Sequence, residues 1–425
     1  MAGGAPPSTG GPPTTSSFSS VASSSLASGL PPPPPPPKIL LAKPGSGPAA
    51  PRFPRDDDPS GSVVLRSRNA PQPSSLNLLS DSWEFHTDRI LPFLTENNDF
   101  TVVGIIGPPG VGKSTIMNDL YGFDGSSPGM LPPFATQSDE TRAMAKHCTT
   151  GIELRVSAER LILLDAQPMF SPSLLVDMMR PDGSSTIPLL NGESLSADLA
   201  HELMGIQLGV FLASICNVLL VVSEGIHDFS MWQLMLVVDL LKHGIPDPSL
   251  LTSSHSQGSD SVPDNENKSI VQPTSVEFLS ALVFIHTKLQ DQDLSPSKTI
   301  LLRKALLQFF SSSSFNVNKH GATVQTDSSN SLDTKSEDLD PVQPDLFMIP
   351  LKWQDNVQKS HSESYCSMSG KLRDQILSMT GHSFAKNISE RDWLRNSAKI
   401  WELVKKSPVI VDYCRTLQSS GLFRK

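Results

Sequence analysis

Two glycines, a lysine and a serine stand in the spacing G-x-x-x-x-G-K-S, as Gly107, Gly112, Lys113 and Ser114. A loop of this kind wraps a phosphate with its backbone N–H groups, while the lysine reaches the outer phosphates and the serine hydroxyl binds Mg²⁺. The apolar run at residues 102–106 predicts a buried strand before the loop, and a helix should begin at Ser114. Because strand, loop and helix N-terminus are the context that phosphate binding requires, we predict a P-loop.

The predicted nucleotide contacts extend over the whole loop and include one distant lysine. They are Gly107, Pro108, Pro109, Gly110, Val111, Gly112, Lys113, Ser114, Thr115 and Lys288. The sequence HTKLQ at residues 286–290 resembles the guanine-binding pattern T-K-x-D, with Gln290 in place of the aspartate. Lys288 can still stack along a base, but the carboxylate that accepts two hydrogen bonds from guanine is lost. The cofactor therefore stays open between GTP or GDP and ATP or ADP, with Mg²⁺.

Three side chains are predicted magnesium ligands, namely Ser114, Asp165 and Thr149. Asp165 ends the apolar run at residues 161–164, where P-loop NTPases place a magnesium-side carboxylate. A polar residue that merely ends a strand is the alternative. Thr149 directly precedes a predicted edge strand, in the position of a threonine that senses Mg²⁺ and the terminal phosphate. Thr150 is the alternate ligand, and either threonine could instead be a turn residue beside Gly151.

The residues that support hydrolysis in active GTPases are replaced after Asp165. Pro168 stands where a glycine would offer its N–H to the γ-phosphate, and proline has no N–H. Met169 comes next, where the residue that orients the attacking water is expected, and a thioether cannot fill that role. Gln167 could act only from a shifted position. We therefore assign no catalytic residue and expect slow or absent hydrolysis.

Composition divides the chain of 425 residues, which contains 37 prolines, into a core and low-complexity segments. Residues 1–75 are rich in Pro, Ser and Gly and predict a disordered tail. The G-domain-like core is expected at residues 76–350, interrupted by disordered insertions at 250–274 and 311–340. A linker at 351–366 and a helical C-terminal segment at 367–425 follow. In the tail, the apolar island at residues 39–44 is either a docking segment or part of a spacer.

Strands and helices alternate through the predicted core. A hairpin is expected at residues 152–156 and 161–164, strands at 218–222, 281–286 and 346–349, and helices at 173–180, 194–216, 228–242 and 298–310. This alternation predicts an α/β fold with a mostly parallel sheet between two helical layers. The fold class is thus a three-layer, G-domain-like P-loop NTPase with a helical C-terminus.

Charge, cysteine spacing and hydropathy argue against several classes of protein. The net charge is −9 and no basic stripe is present, so we expect no direct sequence-specific binding of nucleic acid. Four cysteines without metal-site spacing, and an N-terminus unlike a secretory signal, indicate a reduced, cytoplasmic chain. Polar residues interrupt the apolar run at 206–222, which predicts a buried helix followed by a buried strand, and no membrane contact.

Two segments resemble a known family. Residues 163–174, LLDAQPMFSPSL, look like the D-[TA]-Q-P-x-x-S-P-S segment of the SMG nine family of nonsense-mediated mRNA decay factors, and ordinary GTPases lack this segment. Trp393, followed by Ala398, Ile400 and Trp401, is similar to a tryptophan-bearing C-terminal helix of that family. The resemblance is to a plant-like member and covers about residues 76–417 without the two insertions.

The resemblance implies a regulatory and scaffolding subunit rather than an enzyme. Members of the family pair with SMG eight, a larger G-like protein, and with it control SMG one, a phosphatidylinositol-3-kinase-related kinase. The implied nucleotide contacts lie in the loop at residues 107–115, with Asp165 and Thr149 around Mg²⁺. An active GTPase or ATPase switch is the alternative, because the loop itself is intact.

One face of the predicted C-terminal helix carries large apolar residues at helical spacing. These are Trp393, Ser397, Ile400, Trp401 and Val404. Buried tryptophan is enriched at protein interfaces, so the face is a candidate partner contact. The alternative is that it packs on its own domain.

Overall fold

The computed structural model describes residues 76–125, 130–144, 146–179, 195–253, 280–315, 345–352, 364–379 and 388–421. The predicted tail with its apolar island, and most of the insertions and linker, lie outside these ranges. The strands are β1 (Asn77–Leu79), β2 (Thr101–Ile106), β3 (Ile152–Val156), β4 (Leu161–Ala166), β5 (Val218–Glu224), β6 (Ala281–Leu289) and β7 (Leu346–Pro350). The helices are α1 (Thr87–Ile90), α2 (Lys113–Tyr121), α3 (Asp139–Ala143), α4 (Pro172–Met178), α5 (Ala197–Ile215), α6 (Ser230–Leu241), α7 (Leu250–Ser253), α8 (Pro296–Phe309), α9 (Tyr365–Ser378), α10 (Glu390–Lys405) and α11 (Pro408–Ser420).

The strands form one seven-stranded sheet in the order β1-β3-β4-β2-β5-β6-β7. The five adjacent strands β4, β2, β5, β6 and β7 are parallel. At one edge, β3 pairs antiparallel with both β4 and β1. Strands buried on both faces read as continuous apolar runs, and all six residues of β2 are buried. The mostly parallel sheet and the β3–β4 hairpin are thus confirmed, while the short edge strand β1 was not predicted.

Helices cover both faces of the sheet. Along β2, Val103 and Ile105 face the core formed with α2 and α9, whereas Val102 and Ile106 face the core that contains α5, α6 and α8. This division follows from the alternation of side chains along a strand. The predicted three-layer α/β architecture is confirmed.

Helix α5 is buried along nearly its whole length, because helices α6, α10 and α11 pack around it. Its apolar character therefore reflects a protein core. Cys216 follows the helix, and β5 begins at Val218, as predicted for the run at 206–222. Among the described residues, no helix combines the length and apolar character that crossing a bilayer requires.

The tryptophan-bearing face of α10 packs on its own domain. All five residues of that face are fully buried. The indole Nε1–H of Trp393 donates to the carbonyl oxygen of Ile215, 2.9 Å away. Trp401 stacks on Trp83 with ring centroids 5.3 Å apart and lies edge-on to Phe211 at 5.2 Å. Of the two interpretations of this face, packing on its own domain is the one observed, because the side chains close the core over α5.

Three segment boundaries differ from those predicted. Residues 250–253 form α7, so the first insertion begins later than expected. Residues 311–315 are placed, with Phe315 buried and Ser313 Oγ donating to Asp239 Oδ2 at 2.9 Å. Helix α9 begins at Tyr365 after an N-cap at Ser364, so the linker is shorter than predicted. In each case a cap or a buried side chain, which composition does not reveal, orders the segment.

We expect Trp401→Ala to lower the free energy of unfolding by about 3–5 kcal/mol, because it empties a fully buried site between Trp83 and Phe211. Leu403→Ala is the matched control, since Leu403 lies on the same helix with 42% of its surface exposed. Urea unfolding followed by tryptophan fluorescence measures both. A loss of less than about 1 kcal/mol in Trp401→Ala would show that α10 does not close the core.

Candidate phosphate-binding site

The site lies at the carboxyl end of β2, in the middle of the sheet. The chain reaches β4 on one side of β2 and later β5 on the other, so the order of strands reverses here. In open α/β sheets, ligands bind in the crevice outside the carboxyl ends of the strands at such a switch point. The loop at residues 107–112 crosses this crevice and leads into α2.

Glycine is required at two positions of the loop for different reasons. A Cβ atom added to Gly107 would lie 2.5 Å from the carbonyl oxygen of Val222 in β5, closer than real contacts allow. Gly112 has φ of 95° and serves as the N-cap of α2 without a side chain. Left-handed backbone is accessible to glycine at little cost. The first N–H groups of α2 therefore receive no side-chain cap from Gly112 and are oriented for an anion.

Lys113 folds back over the loop. Its Nζ donates to the carbonyl oxygens of Gly107 and Pro108, both 3.0 Å away. Burial lowers the pKa of Lys113 to about 8, and the nearby carboxyl of Asp165 opposes this effect. The carbonyl groups solvate the ammonium only in part, so a bound phosphate would provide the full countercharge that this buried lysine lacks.

Ser114, Thr149 and Asp165 are brought together although they lie on separate elements. Ser114 Oγ donates to Asp165 Oδ2 at 2.6 Å, and Thr149 Oγ1 donates to the same oxygen at 3.0 Å. Asp165 is fully buried in β4, and burial raises its pKa against the opposing effects of Lys113 and the two hydroxyls. Thr149 thus lies within hydrogen-bonding distance of Asp165, and its role as a magnesium ligand remains a prediction.

The cluster suits a hard cation such as Mg²⁺. Both hydroxyls and the carboxylate are oxygen donors, and Asp165 Oδ1 is buried without a hydrogen-bond partner among the described residues. Among all residues that the structure describes, no group of three or more His, Cys, Asp or Glu side chains could hold a metal. Since Mg²⁺ usually takes one or two carboxylates together with phosphate oxygens and water, the three residues fit a magnesium site that a nucleotide completes.

The segment after Asp165 places the side chains of Gln167 and Met169 outside the lining of the cavity over the loop. Gln167 is buried, and its Oε1 accepts a hydrogen bond from the Gly151 N–H at 2.9 Å. Met169 packs in the apolar core, and its backbone N–H donates to Gly107 at 3.0 Å. Of Gln167, Pro168 and Met169, only Pro168 lines the cavity over the P-loop. Gln167 and Met169 thus serve the packing of the site.

A small cavity of about 100 Å³ lies over the loop. Its far wall comes from the segment between α2 and β3 and includes Gln137, Arg142 and His147, which we did not predict as site residues. Burial lowers the pKa of His147, with Asp177 acting in the opposite direction and Lys113 in the same one. The signal in the sequence was three basic residues, Arg142, Lys146 and His147, in the mainly polar stretch before Thr149.

The wall of the cavity is anchored on α2 through a buried phenylalanine. Phe134 is fully buried, and its backbone N–H and carbonyl oxygen both bond to the side-chain amide of Asn118, each at 2.9 Å. Helix α3 follows, capped by Ser138. The polar composition of this segment did not reveal the contact between Phe134 and Asn118 that anchors the wall on α2.

The expected base-binding segment touches the loop through a different residue. Thr287 Oγ1 donates to the carbonyl oxygen of Val111 at 2.8 Å, so the end of β6 braces the P-loop. Lys288 has φ of 58°, and its Nζ pairs with Glu224 at 2.8 Å. Lys288 does not line the phosphate cavity, and Gln290 is exposed. The nucleotide contact assigned to Lys288 remains a prediction.

We expect Gly107→Ala to destabilise the nucleotide-free protein by about 1–3 kcal/mol, because the added Cβ meets a backbone carbonyl that cannot rotate away. Gly370→Ala is the control, since a Cβ there meets no atom within 4 Å and alanine favours the α9 helix by about 0.5–1 kcal/mol. Denaturant unfolding followed by circular dichroism gives both values. Equal stability of the two variants would contradict the close approach of the loop to β5.

The lowered pKa of Lys113 predicts a pH-dependent stability of the nucleotide-free protein. The unfolded chain binds more protons than the folded one between pH 8 and the ordinary lysine pKa of 10.5, so this group favours folding increasingly as the pH rises through that window. The wild type should therefore gain stability relative to Lys113→Met above pH 8, by at most about 1.4 kcal/mol per pH unit. A difference that stays constant from pH 7 to 9.5 would contradict the assignment.

The chain is similar in sequence to proteins named as mRNA decay factors. No family model matches the sequence. The SMG9 nonsense-mediated mRNA decay factors of Xenopus tropicalis and Xenopus laevis are each 28% identical over 359 residues, which cover 80% of this chain and 66% of the relative. The chain thus matches slightly less than two thirds of the length of these relatives. The SMG9 factor of Salmo salar is 27% identical over 360 residues, covering 80% of this chain and 67% of the relative.

Two solved structures show remote likeness to this chain. A translation elongation factor SelB from Methanococcus maripaludis, in complex with the GTP analogue GPPNHP, gives a TM-score of 0.29 at 9% identity over 68% of this chain and 36% of its own. A septin GTPase domain from Chlamydomonas reinhardtii gives 0.23 at 10% identity over 59% of this chain and 74% of its own. The sequence comparison confirms the resemblance inferred from residues 163–174, and this chain is a relative of the SMG9 (SMG nine) factors of nonsense-mediated mRNA decay.

Proposed function

We propose that this chain is a nucleotide-binding regulatory and scaffolding subunit of the nonsense-mediated mRNA decay machinery, with slow or absent hydrolysis. One contrast carries the proposal. Lys113, Ser114, Thr149 and Asp165 are assembled for phosphate and Mg²⁺, whereas Gln167 and Met169, the side chains nearest to a water-orienting role, are used in packing. A site of this kind favours retention of a nucleotide over turnover.

The nucleotide would act as a structural ligand. The loop N–H groups and Lys113 bind the phosphates, and Ser114, Thr149 and Asp165 hold Mg²⁺, which when bound offsets the phosphate charge. A ligand that binds only the folded state stabilises it by mass action, by about 4 kcal/mol at a thousandfold excess over Kd. Because the same residues join α2, β4 and the segment before β3, occupancy would order the surface around the cavity. The base remains open between GTP or GDP and ATP or ADP.

The partners follow from the family rather than from the site. The names of the relatives support a role in mRNA decay. The resemblance extends this to a cytoplasmic heterodimer with an SMG eight-type protein, which together control the phosphatidylinositol-3-kinase-related kinase SMG one. Direct sequence-specific contact with RNA is not part of the proposal, since the chain carries a net charge of −9.

A second candidate function is an active GTPase or ATPase switch. The observation that favours it is the intact cluster of Ser114, Thr149 and Asp165, because a working site would hold Mg²⁺ with the same groups. This candidate needs a residue that orients water, and it would have to come from a partner or from the wall of the cavity. Turnover measurements separate the two functions.

We expect the full chain, co-expressed with its SMG eight-type partner, to carry about one nucleotide per protein after purification. Mass analysis of the nucleotide released on denaturation identifies the base, and a single-turnover assay with that triphosphate measures hydrolysis. Lys113→Ala should lose the nucleotide, because it removes the ammonium that faces the phosphates. A turnover of about one per second in the wild type, lost in Lys113→Ala, would instead establish the switch.

The same variant tests the scaffolding role. Loss of the nucleotide should lower the melting temperature of Lys113→Ala and weaken capture of the SMG eight-type partner and of SMG one in a reconstituted pull-down. Trp401→Ala, which disturbs the opposite face of the sheet, controls for general instability. Unchanged melting and unchanged complex formation in Lys113→Ala would refute a structural role for the nucleotide.

A further inference from the structure

His147 lies in the wall of the phosphate cavity, two residues before Thr149, and has no role in the function proposed above. Its Nδ1 is 3.0 Å from Ser173 Oγ, in the first turn of α4. Ser173 Oγ is in turn 2.9 Å from Ser171 Oγ, and Ser171 is buried. The segment that follows Asp165 therefore holds the ring through Nδ1.

The two serines can set the tautomer of the ring. When the Ser171 hydroxyl donates to Ser173 Oγ, the Ser173 hydroxyl is free to donate to His147 Nδ1. The neutral imidazole then carries its proton on Nε2, because one ring nitrogen accepts and the other donates. This arrangement leaves an N–H donor on the ring nitrogen that the serines do not occupy, in a residue that lines the cavity.

The ring N–H of His147 could supply a hydrogen-bond donor that the site otherwise lacks at Pro168. Lys113 and the loop N–H groups bind from one side, while Ser114 and Thr149 approach with Asp165 from another. Pro168 lines the same cavity and has no N–H to offer to a terminal phosphate. Two other donors of the wall already have partners, because Gln137 Nε2 donates to the carbonyl oxygen of Lys146 and Arg142 pairs with Asp139.

We propose that His147 is a positioning residue for the terminal phosphate, donating from Nε2 in place of the N–H that Pro168 lacks, so that the site distinguishes nucleoside triphosphates from diphosphates. This inference rests on the proposed function and names the residue that distinguishes a bound triphosphate from a bound diphosphate. It also connects that reading to α4, because Ser173 belongs to that helix.

The test measures binding of a non-hydrolysable triphosphate and of the matching diphosphate to the full chain at one pH, by isothermal titration with Mg²⁺. His147→Ala removes the donor. His147→Asn keeps an amide near the position of Nδ1 and loses the donor, whereas His147→Gln keeps an N–H near the position of Nε2 and loses the contact with Ser173. Ser173→Ala leaves the ring without its anchor.

The wild type should prefer the triphosphate, and His147→Ala and His147→Asn should lose about tenfold in triphosphate affinity, the effect of one hydrogen bond to a charged group. Diphosphate affinity should change less than about twofold. His147→Gln should recover most of the lost triphosphate affinity. The triphosphate affinity of Ser173→Ala should lie between those of His147→Gln and His147→Ala. Melting temperatures of the nucleotide-free variants show whether each one is folded.

Two results would overturn the inference. Triphosphate affinity in His147→Ala equal to that of the wild type would show that the imidazole does not contact the phosphate. A parallel loss of triphosphate and diphosphate affinity would show that His147 only supports the fold of the wall. If the wild type bound neither nucleotide, the proposed function would fail together with the inference, whereas the first two results leave nucleotide binding intact.

Discussion

A single buried carboxylate connects the parts of the site. Asp165 Oδ2 accepts hydrogen bonds from Ser114 on α2 and from Thr149 before β3, while Lys113 lies close enough to affect its pKa. Burying an ionisable group is costly unless it is compensated, so the two hydroxyls and the lysine must stay near it. The constraint fixes the start of α2 relative to β4, and the backbone of the P-loop has little freedom left. Phosphate binding and folding therefore depend on the same few contacts.

The rest of the fold holds β4 and β2 in register. Parallel pairing aligns Gly104 with Leu164 and Ile105 with Asp165, which brings the carboxylate to the level of the loop. Gly104 itself allows the close approach of Cys216 at the end of α5, because a Cβ there would lie 2.7 Å from the sulfur. Helix α10 then covers α5 with Trp393 and Trp401. The C-terminal helices are thus part of the core that supports the site.

The replacements after Asp165 have a physical use apart from catalysis. Gln167 ties the end of β4 to Gly151 at the start of β3, and Met169 fills the apolar core while its backbone N–H braces Gly107. In the segment where an active hydrolase would place a water-orienting group, these two residues pack around the end of β4. The chain is similar to decay factors named SMG9. The function proposed for it needs no turnover, and the proposed contact of His147 would let the site sense its ligand.

The P-loop could be recognised from the sequence because the residues that form it are close together in the chain. Gly107, Gly112, Lys113 and Ser114 act within one strand, one turn and one helix, so their spacing alone defines the phosphate cradle. The parallel sheet also followed from alternating apolar runs. Which threonine contacts Asp165, by contrast, depends on a contact between residues 16 positions apart, and the contact of Ser114 with Asp165 spans 51 positions. The burial of Trp401 against Trp83, the pairing of Lys288 with Glu224 and the placement of His147 beside α4 are likewise decided by tertiary packing, because spacing within one element cannot show what lies opposite it.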